Sequence, residues 1–185
     1  MAILPIYTDG SPVLREKAKP VKQLTDNVIA LIINMFETMR KANGIGLAAN
    51  QVGILKRIIV VDVSEMEGLE EIKPIAFINP EVIDRKGICI LEEGCLSVPG
   101  IHTNVERATS ITVRYKDTNF KTAEIETTDT LARVILHEID HLNGVLFIDY
   151  LSPDQKKLYE EELQKIRHGE IAVDYPVITA ADAVV

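Results

Sequence analysis

The chain has 185 residues, 46% of them hydrophobic and 26% charged, with a formal net charge of −8. That length suits one domain with a proper core, and the balance excludes a disordered or membrane-spanning chain. The acidic excess argues against nucleic acid as the main partner, and two cysteines, Cys89 and Cys95, cannot build a disulfide framework.

The N-terminus, Met1-Ala2-Ile3-Leu4-Pro5, lacks a charged stretch followed by an apolar one, so a cytoplasmic location is the expectation. The longest apolar runs, Val28 to Ile33 and Ile58 to Val61, are too short to cross a bilayer. Pro5, Gly10, Pro12 and Pro20 predict an irregular arm over about residues 1–24, anchored by Ile3, Leu4, Ile6, Val13 and Leu14. Thr25 is a good N-cap, and Val28, Leu31, Ile32, Met35, Phe36 and Met39 keep helical spacing until Asn43-Gly44 stops them. The segment Gly44 to Gly53 is rich in small residues, which lets another backbone approach closely. Gln51 is its one side chain able to donate a hydrogen bond into a site.

Arg57 to Val63 is β-branched and reads as a buried strand, whereas the acidic stretch Ser64 to Lys73 reads as a solvated loop. Two short strands are expected at Pro74 to Asn79 and Glu81 to Asp84, broken at Asn79-Pro80. Gly87 to Leu91 then leads to Cys95, near a strand end and ahead of a Pro99-Gly100 turn signal. Alternation from Ile111 to Lys116 and again from Phe120 to Glu126 predicts a hairpin with one wet face.

Thr127-Thr128-Asp129 caps the next helix, which ends at Asn143-Gly144 and contains His137-Glu138-Ile139-Asp140-His141. Four residues on a helix turn through about 400°, so the two imidazoles share one face and can share a metal ion. Glu138 lies about 100° round from His137, where a general base for a metal-bound water belongs. Leu131, Val134, Ile135, Ile139 and Leu142 form a buried arc with the histidines at its edge, and Arg133, Leu136 and Asp140 point away. Catalytic sites of this type need a third protein ligand. Ser152-Pro153-Asp154 starts a final helix to about Arg167, and residues 168–185 form a tail without periodicity. No internal repeat or linker divides residues 1–185, so a single catalytic domain is expected.

Three stretches together resemble the peptide deformylase family: Gly44-Ile45-Gly46-Leu47-Ala48-Ala49-Asn50-Gln51, Glu93-Gly94-Cys95-Leu96-Ser97 and His137 to Gly144. The resemblance covers about residues 1–167. It implies an α+β fold, with antiparallel and mixed β-sheets wrapped around a central H-E-x-x-H helix, an N-terminal amphipathic helix and a C-terminal helix. It makes Cys95, His137 and His141 ligands of one divalent metal ion, typically Fe²⁺ in the cell and often Zn²⁺ or Ni²⁺ after purification. Glu138 becomes the general acid and base, with Gln51 and the Leu96 N–H facing the oxyanion. The substrates implied are N-formylmethionyl peptides and nascent chains, with a weak ribosome contact through the final helix. The backbone at Ile45 and Gly46 would pair with the peptide. Ile45, Leu91 and Val134 would line an apolar methionine pocket, with Glu93 near its mouth. Leu136 and His102 depart from the family's usual glutamine and arginine. A zinc endopeptidase would instead take its third ligand downstream, from Asp149 or Glu160 to Glu162. A structural metal site in a binding protein would need a fourth ligand that Cys89 is not spaced to supply.

Overall fold

A computed structural model describes residues 2–183; Met1, Val184 and Val185, the last two part of the apolar C-terminal end, lie outside the described residues. The elements in order are β1 (Ile6–Tyr7), α1 (Asp26–Lys41), β2 (Gly46–Ala48), β3 (Ile58–Val61), β4 (Ile75–Lys86), β5 (Cys89–Cys95) and β6 (Val98–Arg107). They continue with β7 (Ser110–Lys116), β8 (Thr122–Thr128), α2 (Asp129–Leu142), α3 (Pro153–Leu158), α4 (Glu160–Arg167) and β9 (Val177–Ile178). The fold is mixed α+β, with a five-stranded antiparallel sheet in the order β2-β3-β4-β7-β8, the hairpin β5-β6 and a parallel pair β1-β9.

The period-2 geometry of β3 sends its side chains to both faces of the sheet, so its residues serve two cores. Ile58 and Val60 pack with Val28, Ile32, Met35 and Met39 of α1. Ile59 and Val61 pack with Leu131, Ile135 and Leu142 of α2. A third cluster joins Val98, Ile101 and Val105 of β6 to Phe147 and to Leu163 and Ile166 of α4. Thr25 caps α1 by accepting from the Val28 N–H at 3.4 Å, and Asn43, at φ +54°, ends the run.

Several expectations need correction. Arg133 and Leu136, expected to point away from the buried arc, are themselves buried at 6% and 4% exposure, because α2 is covered by the sheet on one side and by the β5-β6 hairpin on the other. Val98 to Arg107 is one strand running through Pro99-Gly100, with Ile101, Thr103, Val105 and Arg107 buried at alternate positions. The two short strands around Asn79-Pro80 are one long strand carrying a register shift between Ile78 and Glu81. A bulge absorbs the proline that cannot donate to a ladder. The final helix is two, interrupted at Tyr159. The acidic loop after β3 is anchored, since Met66, Leu69 and Ile72 pack on the core. The tail holds β9, which pairs in register with β1.

The bulge also ties down the N-terminal arm. Asn79 Oδ1 accepts the Val21 N–H and Asn79 Nδ2 donates to the Val21 carbonyl, both at 2.8 Å. Replacing Asn79 with Ala removes both bonds and is expected to lower stability by about 1–3 kcal/mol. Urea unfolding would show this as a lower midpoint with an unchanged slope.

Candidate metal centre and active site

Two elements converge on one point. The end of β5 delivers Cys95, and α2 delivers His137 and His141 from successive turns of one face. Cys95 Sγ lies 3.2 Å from His141 Nε2, and the two imidazole rings meet nearly edge-on with centroids 4.9 Å apart. His137 Nδ1 is 3.0 Å from Glu93 Oε2, which leaves Nε2 to face the thiol. One ligand atom from each of Cys95, His137 and His141 lies within 4.8 Å of the others, and this is the one such group of three among the described residues.

These donors fit a divalent ion. Sulfur with two imidazole nitrogens is a borderline-soft set, and ligands around a single ion stand roughly 3–4 Å apart. Glu138 Oε2 is buried without a hydrogen-bond partner, so the cavity wall holds a polar atom that protein alone leaves unsatisfied. The downstream carboxylates weighed as third ligand are engaged elsewhere. Asp149 accepts from Arg15 at 2.5 Å and from the Leu146 N–H, while Glu160 accepts from Gln164 at 2.7 Å.

The charges around the donors are strongly sorted. Burial opposes ionisation of Glu93, but hydrogen bonds from Arg107 and His137 outweigh it and hold the carboxyl down at about 2. Burial, little compensated, pushes Glu138 up to about 7. Burial would also lower both imidazoles. His141 does sit well below its ordinary range, whereas contacts with Cys95 and Glu93 raise His137 well above it.

Gln51 sits in the short helical turn after β2, where Asn50 donates its side-chain amide to the His141 carbonyl and fastens the turn to α2. Gln51 Oε1 accepts the Ala48 N–H at 2.8 Å. Its Nε2 therefore points the other way, donating to Ser97 Oγ at 3.1 Å and lying 3.7 Å from Cys95 Sγ. The Leu96 N–H, on the turn beyond Cys95, has no hydrogen-bond acceptor among the described residues. Gln51 Nε2 and the unpartnered Leu96 N–H thus belong to residues that line the space beside the ligand set.

That space is a cavity of about 480 Å³ whose walls include Ile45, Gly46, Gln51, Leu96, Val134 and Glu138. Two expected pocket residues stand elsewhere. Leu91 is 48% exposed and forms no part of the wall. Glu93 is 7% exposed and lies beneath the site, because Arg107 (2.7 and 2.9 Å), Arg133 (2.7 Å) and His137 hold its carboxylate inward. Arg133 replaces them in the wall, so the cavity is not wholly apolar. His102 is exposed on β6 at the cavity rim and is not part of the ligand group.

Arg107, Arg133, Ser97, Val173 and Tyr175 were not foreseen as parts of this region. The available signal was alternation: Ile101, Thr103, Val105 and Arg107 repeat at period 2, as do Ile171, Val173 and Tyr175. Tyr175 donates its hydroxyl to the Leu96 carbonyl at 3.0 Å, and burial first, then nearby negative charge at Cys95 and Asp174, pushes its phenol up to about 12.

Residues 3–157 match the family model described as polypeptide deformylase. A peptide deformylase from Chlorobium phaeovibrioides is 47% identical over 178 residues, covering 96% of this chain and 94% of the relative. The crystal structure of peptide deformylase from Ehrlichia chaffeensis in complex with actinonin superposes with a TM-score of 0.84 at 38% identity, covering 93% of this chain and 100% of that one. The peptide deformylase structure from Thermotoga maritima gives 0.76 at 44% identity and covers 83% of this chain and 100% of that one. The stretch matched by the family model ends before α4 and β9.

Replacing Glu93 with Gln leaves Arg107 and Arg133 buried without their shared anion, and is expected to cost about 3–5 kcal/mol of stability at neutral pH. Because the folded pKa is depressed from 4.5 to about 2, the ionised form contributes its stability in full above 4.5 and loses it as pH falls toward 2. Acid unfolding curves of the variant should lack that loss. Its metal affinity, measured by competition with a chromogenic chelator, should drop about 10- to 100-fold as His137 loses its orienting partner.

Proposed function

The chain belongs to the polypeptide deformylase family and is a metal-dependent hydrolase, and from that premise we propose how its residues divide the work of removing the formyl group from N-terminal formylmethionine. The observation that carries the reading is the convergence of a Cys/His/His ligand set, the Gln51 amide, the unpartnered Leu96 N–H and a protonatable buried carboxyl on one cavity. Cys95, His137 and His141 hold the ion, which we take to be Fe²⁺ in the cell, with Zn²⁺ or Ni²⁺ as substitutes that the same donors accept. When bound, the ion acts as a Lewis acid that polarises the formyl carbonyl and makes water acidic enough to attack near neutral pH.

The remaining steps fall to side chains and backbone. Gln51 Nε2 and the Leu96 N–H donate to the formyl oxygen as negative charge builds on it. Both are held before substrate arrives, so little reorganisation is needed. Glu138 accepts the proton of the attacking water and passes it to the amine nitrogen as the C–N bond breaks, giving formate and a free N-terminus. A carboxyl poised near 7 suits both halves of that transfer.

The peptide backbone adds as a strand beside Ile45 and Gly46, since β2 is the edge of its sheet. Val134 and Ile45 contact the methionine side chain, and Arg133 lines the same cavity. Residues 1–185 act as a single catalytic domain in the cytoplasm, on nascent chains. A weak ribosome contact falls to the charged outer side of α4.

Incubating the iron-loaded protein with formyl-Met-Ala-Ser and following formate tests the reaction; no release would overturn it. Glu138→Ala is expected to lower kcat by about 10²- to 10⁴-fold with metal content unchanged. A drop in bound metal would instead make Glu138 a ligand. Cys95→Ala should abolish tight metal binding as measured by elemental analysis after dialysis.

A further inference from the structure

Beyond α4 the chain returns across the molecule in an extended run, with Ile171, Val173 and Tyr175 turned inward and Ala172, Asp174 and Pro176 exposed. It is fastened at its far end. The Ile6 N–H donates to the Pro176 carbonyl at 2.9 Å and the Thr8 N–H to the Ile178 carbonyl at 3.0 Å, making β9 a partner of β1. At its near end Arg167 pairs with the buried Asp9 at 2.8 Å. Val173 and Tyr175, between these anchors, form part of the wall of the active-site cavity.

The same run reaches the turn that follows Cys95. Tyr175 donates its hydroxyl to the Leu96 carbonyl at 3.0 Å, and the Asp9 N–H donates to the Ser97 carbonyl at 2.8 Å. Both carbonyls of the turn are thereby held, one from each end of the chain. The Leu96 N–H lies in the peptide plane that precedes these two and meets the first of them at the Leu96 Cα, so holding the Leu96 carbonyl restricts the backbone rotation that aims the N–H. That N–H has no acceptor of its own among the described residues, and the peptide plane that carries it is held on its other side by the pairing of Cys95 with Val98.

We propose that the segment from Ile171 to Ile178 is part of the active site, with Tyr175 a positioning residue that aims the Leu96 N–H and Val173 an apolar wall of the substrate cleft. This rests on the reading of Leu96 as an oxyanion donor. It concerns residues outside the stretch matched by the family model. The Tyr175 ring remains in place when only its hydroxyl is removed, which makes Tyr175→Phe the informative change.

In the full-length, metal-loaded protein, Tyr175→Phe is expected to lower kcat for formyl-Met-Ala-Ser by about 2- to 10-fold, the range of one lost hydrogen bond. KM should stay within about twofold, and metal content should not change. Amide hydrogen exchange at Asp9, whose N–H is bonded to the Ser97 carbonyl of the turn, should quicken in the variant while exchange in α2 does not. A lowered Tm with kcat unchanged would show a merely structural contact and overturn the proposal, as would raised KM at constant kcat or unchanged exchange at Asp9. If the unaltered protein releases no formate, the reading of the whole site fails, yet the exchange comparison still decides whether Tyr175 holds the turn.

Discussion

One buried carboxylate joins the two halves of this site. Glu93 on β5 collects N–H groups from Arg107 on β6 and from Arg133 and His137 on α2, at 2.7 to 3.0 Å. Arg107 is completed by Asp140 at 2.5 Å, so the two guanidinium groups face two carboxylates. Removing such charges from water costs several kcal/mol per ion, and only saturated geometry offsets that cost. The constraint has a chemical consequence. Glu93 and Cys95 are two residues apart on one strand, and the carboxylate that closes the hairpin over α2 also decides which nitrogen of His137 turns to the thiol.

Two glutamates flank that histidine and are driven in opposite directions. Glu93 lies among guanidinium groups and is held at about 2, so it does not exchange protons in the working range. Glu138 is 4% exposed, has one oxygen with no partner and is lifted to about 7. The residue type is the same and the separation comes from surroundings alone. The carboxyl that keeps an unpartnered oxygen is the one able to exchange a proton near neutral pH, and the saturated one orients its neighbours.

The sequence makes local features plain and hides those created by packing. His137 and His141 were legible because four residues on a helix is a local spacing. Cys95 and Gln51 became site residues through family resemblance, since no short-range pattern links positions 42 and 86 residues before His137. Arg133 and Leu136 were misread because helical periodicity describes one buried face, and α2 is enclosed by a second layer that periodicity cannot announce. Pro99-Gly100 read as a turn, yet β6 passes through it: the Pro99 position needs no N–H there, and Gly100 takes φ +81°. The inward-facing tail was visible only as a short alternation, and its meaning depended on where β1 runs.

The glycines of the Gly44 to Gly53 segment show how substrate and catalyst share one constraint. A side chain at Gly46 would place its Cβ 2.5 Å from Glu138 Oε1 and 2.9 Å from Val134 Cγ1, so the absence of a side chain is demanded by the carboxyl itself. At Gly44 the neighbour is Leu96, 2.7 Å from the same hypothetical atom. The β2 segment therefore lies flush against both the carboxyl and the turn. It is also the sheet edge, with the Ile45 carbonyl already taken by the Asp62 N–H at 3.0 Å on its inner side. What remains on the outer side is backbone with nothing standing between it and Glu138. On the proposed reading an extended peptide pairing there would reach the carboxyl without crossing a side chain, and any residue larger than glycine at position 46 would crowd both Glu138 and Val134.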